Sequence, residues 1–388
     1  MANTDDVIEQ VDSAGRGTGV EIDNVVSDGA EAIAEPFNPE DIDVVTRSMT
    51  VNLLLSRTKS DMIDLQPDFQ RRWGVWDARR QSRLIESLML RIPLPVLYAA
   101  EDDDERWEIV DGIQRLSTIA RFMEPEAIGS APLVLAGLEY LKDFEGKRFG
   151  DLTPRMRLRL QETELIIHLI RKGTPPEVKF NIFARINTGG MALSPQELRH
   201  AITPGRARAV LEQWAGSQAF KLATDGSVQP IRMDDRELVL RFIAFHCLGL
   251  EGYKQPDMDG FLIAAMNTVN HLTDHELSAV NERFTRAMNT ARAVFGRDAF
   301  RKRFSQNASR LPINKALFEA ISVNFAQLPA GSMPVLVERA GSVREGLIAL
   351  CNSRDFESAI SQGTGDVRKV QRRFSAIAEM LQRVLQNA

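Results

Sequence analysis

The chain has 388 residues, of which 44% are hydrophobic and 26% are charged, and its formal net charge is −5. This length leaves room for two or three domains, and the composition is that of an ordinary globular protein. Two cysteines exclude a disulfide framework and a cysteine-rich zinc site. No apolar run approaches the roughly 20 residues of a membrane helix. Since the N-terminus also lacks a signal-peptide pattern, we expect a cytoplasmic protein without a membrane partner.

The net charge is unevenly distributed along the chain. Residues 1–45 contain twelve acidic groups and one basic group, so the remainder carries a formal charge of +6. An acidic segment without helical or strand periodicity predicts a disordered tail over residues 1–45. The alternative interpretation is an arm that mimics DNA and covers a basic groove. The mildly basic remainder is compatible with a nucleic-acid partner but does not require one.

Strand and helix patterns alternate from residue 46 to residue 172, which predicts a small mixed α/β domain. A short helix begins at Val51, and a strand surrounds Ile63. Asp77 is a good N-cap for an amphipathic helix, and Pro93 and Pro95 end that helix before the next strand. Beyond residue 172 the pattern becomes helical, so we predict a helical continuation over residues 173–250 and a helical domain over residues 251–388. The predicted fold class is therefore α+β.

The most informative motif lies where a strand at Ile109 and Val110 runs into a helix through Asp111-Gly-Ile-Gln-Arg115. The backbone N–H groups and the positive end of a helix favour an anion at such a junction. Gly112 permits close approach of the backbone, and Arg115 supplies a planar fork suited to phosphate oxygens. The motif predicts a phosphate site. The alternative is a plain helix start with Asp111 as N-cap and Arg115 in solvent.

Two further segments contain residues suited to nucleotides or DNA. Gln70, Arg71 and Arg72 precede Trp73 and Trp76, so forked cations lie close to flat apolar side chains that can stack on a base. The alternative is that the aromatic residues belong to the core and the arginines to the surface.

Arg79 and Arg83 on the following helix predict either a DNA contact or a solvated face. Asn187 opens the segment Asn-Thr-Gly-Gly190, which fits either a phosphate loop or the end of a helix. Ser194 and Glu197 form a capping box that starts another helix. The five histidines show no spacing typical of a metal site.

Three blocks in this order resemble a known family. The first contains Phe69-Gln-Arg71, Trp76 and the stretch from Gln81 to Pro95; the second is Val110-Asp-Gly-Ile-Gln-Arg-Leu-Ser-Thr118; the third runs from Phe183 to Arg199. Together they resemble the N-terminal domain of GmrSD-type, modification-dependent restriction endonucleases, over roughly residues 45–250. The fold of that family is similar to the nucleotide-binding fold of ParB and sulfiredoxin.

The resemblance implies a nucleotide-binding and nucleotide-hydrolysing motif, Asp-Gly-Gln-Gln-Arg, that supports DNA restriction. Asp111, Gly112, Gln114 and Arg115 match this motif, and Ile113 replaces its first glutamine. The replacement removes one hydrogen-bonding side chain and leaves the amides and Arg115 in place. Enzymes of this class often carry a second, histidine-based nuclease domain, and residues 251–388 show no convincing counterpart of its motif.

The sequence thus predicts a protein that binds and hydrolyses a nucleoside triphosphate with Mg²⁺ and acts on foreign or modified DNA. The expected roles are catalytic for Asp111 and Arg115; nucleotide-binding for Gln70, Arg71, Gly112, Gln114, Arg115 and Asn187; DNA- or base-contacting for Arg72, Trp76, Arg79 and Arg83; and magnesium-binding for Asp111. One alternative is a non-catalytic DNA-binding or adaptor module that works with a separate nuclease or defence protein. Another is a metal-dependent nuclease built on the ParB-like core. A homo-oligomer is left open.

Overall fold

The computed structural model describes residues 7–11, 15–25, 42–65, 76–102, 104–186 and 193–386. These residues divide into two compact units. The described residues between 42 and 202 form one, which we call the sheet unit. Residues 7–11, 15–25 and 203–386 form the other, which we call the helical unit. A sheet with packed helices followed by a helical region confirms the predicted α+β class.

The strands are β1 (Glu9–Val11), β2 (Gly17–Glu21), β3 (Val44–Thr50), β4 (Ile63–Asp64), β5 (Leu97–Glu101), β6 (Trp107–Asp111) and β7 (Glu164–Ile170). The helices of the sheet unit are α1 (Val51–Lys59), α2 (Ala78–Met89), α3 (Ile113–Met123), α4 (Pro154–Glu162), α5 (Pro176–Ile186) and α6 (Pro195–Ile202). Those of the helical unit are α7 (Arg206–Ala215), α8 (Gln218–Ala223), α9 (Asp234–Cys247), α10 (Met258–His271), α11 (Asp274–Phe295), α12 (Lys315–Gln327), α13 (Ser332–Glu338), α14 (Ala340–Cys351), α15 (Arg354–Ser361) and α16 (Val367–Gln386).

The sheet of the sheet unit has the strand order β3-β7-β5-β6-β4. Its outer pair β3–β7 and its central hairpin β5–β6 are antiparallel, whereas β7–β5 and β6–β4 are parallel. One face packs on the apolar sides of α1, α2 and α3, which together bury one continuous core. This arrangement places the carboxyl end of β6 directly before α3, at the predicted phosphate site.

Helices α5 and α6 belong to the sheet unit. Helix α6 packs against β6, and the Lys179 ammonium on α5 donates to the backbone carbonyl of Glu101 at 3.3 Å. Ser194 and Glu197 make the predicted capping box at the start of α6, with bonds of 2.6 and 3.1 Å. The unit therefore extends to residue 202, which differs from the predicted boundaries at residues 172 and 250. The physical reason is that α6 packs against β6 and that Lys179 on α5 bonds the last residue of β5.

A buried carboxylate on α2 holds the segment that covers this helix. The Glu86 side chain accepts hydrogen bonds of 2.7–3.1 Å from the backbone N–H groups of Glu139, Tyr140 and Leu141. Burial alone would raise the pKa of Glu86, but these bonds outweigh burial and hold that pKa below its usual value. Glu86 therefore stabilises the fold in its charged form.

We expect Glu86→Gln to destabilise the sheet unit by about 1–3 kcal/mol at neutral pH, because three N–H groups lose a charged acceptor. The pKa of this carboxyl is lower in the folded than in the unfolded state, so its contribution is present above the unfolded value. It is lost as pH falls through the folded value, and the difference from wild type should shrink below about pH 5. Urea denaturation from neutral pH to below about pH 5 measures this difference in the free energy of unfolding. The control is Glu139→Gln, which changes a half-exposed side chain. A difference that does not change with pH would contradict this role.

The core of the helical unit is formed by α7 to α16, and aromatic rings occupy much of it. The ring of Phe284 lies 5.0–6.4 Å, centroid to centroid, from those of Trp214, Phe220 and Phe242. Among the described residues, no helix is both long and apolar enough to cross a membrane. The predicted helical character of the chain beyond residue 206 is confirmed for the residues described.

The N-terminal segment 17–25 is bound along the helical unit, which corrects the prediction of a solvated tail for these residues. The backbone N–H of Glu21 donates to the carbonyl of Ile313 at 2.8 Å, and Ile313 donates in turn to Gly19 at 2.9 Å. Val20 is fully buried. The Glu21 carboxylate contacts the buried Lys302 ammonium at 2.6 Å. Acidic side chains in this segment are thus partners of cations far along the chain, which composition alone does not show.

A network of buried charges runs through the helical unit, and we call it the core ion network. Arg241 contacts Asp23 at 2.5 Å, Glu237 at 3.0 Å and Glu319 at 3.1 Å. Its other members, all nearly or fully inaccessible to solvent, are Glu21, Asp234, Lys302, Lys315 and Arg373. Its carboxylates come from the N-terminal segment, α9 and α12, so the network joins distant parts of the chain into one unit.

Candidate functional site

The structure forms the predicted strand-to-helix junction, which we call the Asp111–Arg115 turn. Strand β6 ends at Asp111, and α3 begins after Gly112, which is in the left-handed conformation with φ of 93°. Gly112 is the N-cap of α3, and no side chain caps the helix there. The interpretation of Asp111 as the N-cap is therefore wrong. Its carboxylate is directed to Arg115 instead.

Arg115 is partly buried and joins the turn to the segment before β5. Its Nη2 donates to Asp111 Oδ2 at 2.8 Å, and its Nη1 donates to the carbonyls of Pro95 and Val96, which directly precede β5. These bonds use three of the five N–H donors of the guanidinium. Its side chain is 12% exposed and that of Asp111 is 33% exposed. Arg115 therefore fixes the position of a carboxylate that solvent still reaches.

Gly112 and Ile113 are required by the packing of the turn. A Cβ atom on Gly112 would lie 2.2 Å from Leu97 Cδ2 and 3.0 Å from Arg115 Nη2, so a side chain at this position would push both apart. Ile113 is 5% exposed and belongs to the core beneath the sheet. The residue that replaces the family's first glutamine thus points inward and packs, which leaves the polar side of the turn to Asp111, Gln114 and Arg115.

A β-bulge decides which way Asp111 faces. In the antiparallel pair β5–β6, Ala99 is opposite Ile109 but Tyr98 is opposite Asp111, so Val110 is one extra residue in β6. A bulge of this kind changes the face on which the following side chain lies. Ile109 belongs to the core, whereas Asp111 after the bulge lies beside Tyr98 on the opposite face. Bulges are common next to active sites for this reason.

Of the other predicted residues, Trp76 and Gln114 are brought together. The backbone N–H of Trp76 donates to Gln114 Oε1 at 3.5 Å, and the Trp76 ring packs against the core of the sheet unit. The guanidinium of Arg80 lies 4.6 Å from the centroid of that ring. Trp76 therefore adjoins the turn, with one side of its ring in contact with a cation.

Arg79 and Arg83 contact a different part of the sheet unit. The aliphatic stem of Arg79 lies against Gly137, and Arg83 Nε donates to the carbonyl of the same residue at 3.5 Å. Arg83 also lies 4.0 Å from the Glu139 carboxylate, and its side chain is about half exposed. The predicted DNA contact of both arginines stays a prediction. Gln70, Arg71, Arg72 and Asn187 lie outside the described residues.

The turn offers one carboxylate to a metal ion, and no group of three or more metal-ligating side chains occurs in the part of the chain that the structure describes. Mg²⁺ is commonly bound through one or two carboxylates together with substrate phosphates, because it retains several of its waters. Asp111 alone therefore fits an ion that arrives with a nucleotide rather than a resident metal centre.

Sequence reasoning did not single out Tyr98 and His168, which lie on the same face of the sheet as Asp111. The two rings are 5.1 Å apart between centroids, and both side chains are half-buried. Alternation along β5 and β7 assigns them to the face opposite the core, which is a weak signal for a site. Their closeness to Asp111 depends on the bulge in β6, which the sequence does not reveal.

Fold and turn together define a mixed α/β domain with an anion-favouring strand–helix junction. Residues 51–203 match the family model of the GmrSD restriction endonuclease, N-terminal domain. The chain therefore carries a domain of that family, as the three sequence blocks indicate. The matched range corresponds closely to the sheet unit, and the helical unit lies almost entirely outside it. No curated protein and no solved structure matches the chain.

Proposed function

We propose that the chain acts on foreign or modified DNA in restriction or a related defence, and that its sheet unit binds and hydrolyses a nucleoside triphosphate at the Asp111–Arg115 turn. The observation that carries the proposal is the family match over residues 51–203, within which this turn is the site suited to phosphate. The nucleotide controls how the rest of the protein engages DNA or a partner nuclease.

The geometry supports this use of the turn in two ways. The N-terminus of α3 has no side-chain cap, so its first-turn amides favour an anion such as a phosphate. The Arg115 guanidinium offsets the charge of Asp111, so that a carboxylate can remain next to a phosphate without net repulsion. Phosphoryl transfer depends mainly on such positioning and electrostatic stabilisation.

Each residue of the turn then has a separate role. Asp111 holds Mg²⁺ or orients the attacking water, and Mg²⁺ when bound supplies charge neutralisation for the phosphates. Arg115 is first a positioning residue, because its bonds to Asp111, Pro95 and Val96 fix the turn. Its remaining N–H donors are available to a phosphate oxygen. Gln114 supplies a neutral hydrogen bond, and Gln70, Arg71 and Asn187 complete the proposed nucleotide site.

The test is a calorimetric titration of the full chain with magnesium complexes of the common nucleoside triphosphates. We expect Asp111→Asn to weaken binding about 10- to 100-fold, as is typical when one charge-assisted interaction is lost. This variant is isosteric and keeps an oxygen in reach of Arg115. The control is Asp61→Asn, which removes the same charge from an exposed pair with Arg106 in the same unit. Equal losses in both variants, or unchanged binding in Asp111→Asn and Arg115→Ala, would refute the site.

Two further readouts separate the alternative functions. Nucleotide binding without release of phosphate supports the adaptor function, with DNA cleavage supplied by a partner. Nicking of plasmid DNA with Mg²⁺ or Mn²⁺ alone, without nucleotide, supports a nuclease built on the sheet unit. Release of phosphate that depends on Asp111 supports the function proposed.

A further inference from the structure

Four side chains form a row across the sheet, one on each of four neighbouring strands. Thr46 on β3 is opposite His168 on β7, His168 is opposite Tyr98 on β5, and Tyr98 is opposite Asp111 on β6. We call this set the sheet row. Residues directly opposite each other share a face of a sheet, so all four side chains lie on one side.

The sheet row lies on the face opposite the core. Leu97 and Ile167, which alternate with members of the row, are buried against the helices of the sheet unit. On the face of the row, Ile166 is 48% exposed and Val44 is 41% exposed. This part of the face, on β3 and β7, is therefore accessible, and the Asp111–Arg115 turn lies at the β6 end of the row.

The rings of Tyr98 and His168 form a fixed aromatic pair in the middle of the row. Their planes are inclined by 44°, and Thr46 Oγ1 lies 2.9 Å from His168 Nδ1, which sets the orientation of the imidazole. Neighbouring strands are about 4.8 Å apart, so the positions of His168 and Asp111, which are two strands apart, are separated by about 10 Å along the row. A nucleotide has this same layout, with a flat base at one end and phosphates at the other.

We propose that Tyr98 and His168 bind the base of the nucleotide whose phosphates lie at the Asp111–Arg115 turn. The inference rests on the proposed function and adds to it the part of the site that recognises the nucleoside. Stacking on an aromatic side chain is open to every base, because each has a π-face. The hydroxyls of Thr46, in the row, and of Ser48, two residues further along β3, bond His168 Nδ1 and Glu164 Oε2, and their remaining lone pairs can accept from the edge of a stacked base.

The occupant is a mononucleotide because the aromatic pair is continuous with a single phosphate site. The bulge at Val110 turns Asp111 onto this face, and without it the carboxylate would lie on the core side, away from both rings. The aliphatic side chains of Ile166 and Val44 extend the apolar surface next to the rings. One aromatic pair next to one anion site fits a single base and its own phosphates.

The experiment compares Mg²⁺-nucleoside triphosphate with Mg²⁺-tripolyphosphate, which lacks the base, on the full chain. We expect Tyr98→Ala to weaken nucleotide binding about 5- to 100-fold, because stacking on one aromatic ring typically stabilises a bound base to this extent. The same variant should bind tripolyphosphate as the wild type does. Tyr98→Phe keeps the ring and should keep nucleotide affinity. Tyr140→Ala, which removes a tyrosine that is 69% exposed on the segment held by Glu86, is the matched control.

The outcomes separate this inference from the proposed function. Absence of binding by both ligands in the wild type refutes the proposed function and the inference with it. If Asp111→Asn weakens nucleotide binding and Tyr98→Ala leaves it unchanged, only the proposed contact between the base and the Tyr98–His168 pair is refuted. Equal loss of nucleotide and tripolyphosphate affinity in Tyr98→Ala also refutes it, since the ring would then act only through the fold. Tyr98→Ala that weakens binding of a single-stranded oligonucleotide and not of the nucleotide would assign the rings to DNA and overturn the inference.

Discussion

Deleting residues 1–25 is expected to destabilise the helical unit by more than about 5 kcal/mol, which is a large part of the stability of an ordinary domain. The deletion removes Glu21 and Asp23 from the core ion network and leaves the buried Lys302 without its carboxylate. Loss of one partner of a buried pair costs about 3–5 kcal/mol by itself. The fully buried Val20 and the backbone bonds to Ile313 are lost as well.

Thermal and urea denaturation of the full chain measure this effect. Deletion of residues 1–11 is the control, because β1 is mostly exposed and contributes no buried charge. Glu21→Gln tests the ionic part alone, since it removes the charge facing Lys302 and keeps the backbone contacts of the segment. Equal stability of the two deletions would contradict the account, because the segment 17–25 would then not be part of the folded unit.

Glu319→Gln is expected to destabilise the helical unit by about 3–5 kcal/mol. Glu319 is fully buried on α12 and accepts hydrogen bonds from Arg241 Nη1 at 3.1 Å and from Arg373 Nε at 2.9 Å. Arg373 otherwise contacts only the carbonyls of Ala359 and Thr364 among the described residues, and a guanidinium does not lose its proton. The variant therefore leaves a buried positive charge without its counter-ion.

Chemical denaturation compares this variant with Asp355→Asn, which removes the carboxylate of an exposed pair with Arg372 in the same unit. Exposed pairs contribute about 0–1 kcal/mol, so the two losses should differ clearly. The double variant Glu319→Leu with Arg373→Met removes the Glu319–Arg373 pair as a whole, while Arg241 keeps Asp23 and Glu237, and it should recover much of the stability. A loss in Glu319→Gln no larger than in Asp355→Asn would show that the pair does not stabilise the unit.

Local signals in the sequence predicted much of the sheet unit. Asp77 caps α2 by accepting from the Arg80 N–H at 2.7 Å, and Ser194 with Glu197 caps α6, because capping depends on residues only three positions apart. The Asp111–Arg115 turn was predicted for a similar reason. A glycine between an apolar strand and an amphipathic helix defines that junction locally.

Long-range partners decided the features that the sequence did not predict. Glu21 pairs with Lys302 across most of the chain, so an acidic composition predicted a tail where the fold contains a bound strand. The bulge at Val110 is defined only by the register of β6 against β5. Arg115 is a positioning residue because it donates to the carbonyls of Pro95 and Val96, which are distant from it in the sequence. Periodicity along one strand contains no information about its neighbours.

The central claim is that the sheet unit binds a nucleoside triphosphate at the Asp111–Arg115 turn. The most direct measurement is a crystal structure of the full chain with Mg²⁺ and a non-hydrolysable triphosphate. The account predicts phosphate oxygens within hydrogen-bonding distance of the first-turn amides of α3, the metal ion on the Asp111 carboxylate, and the base against Tyr98 and His168. A nucleotide bound away from this turn, for example within the helical unit, would contradict it.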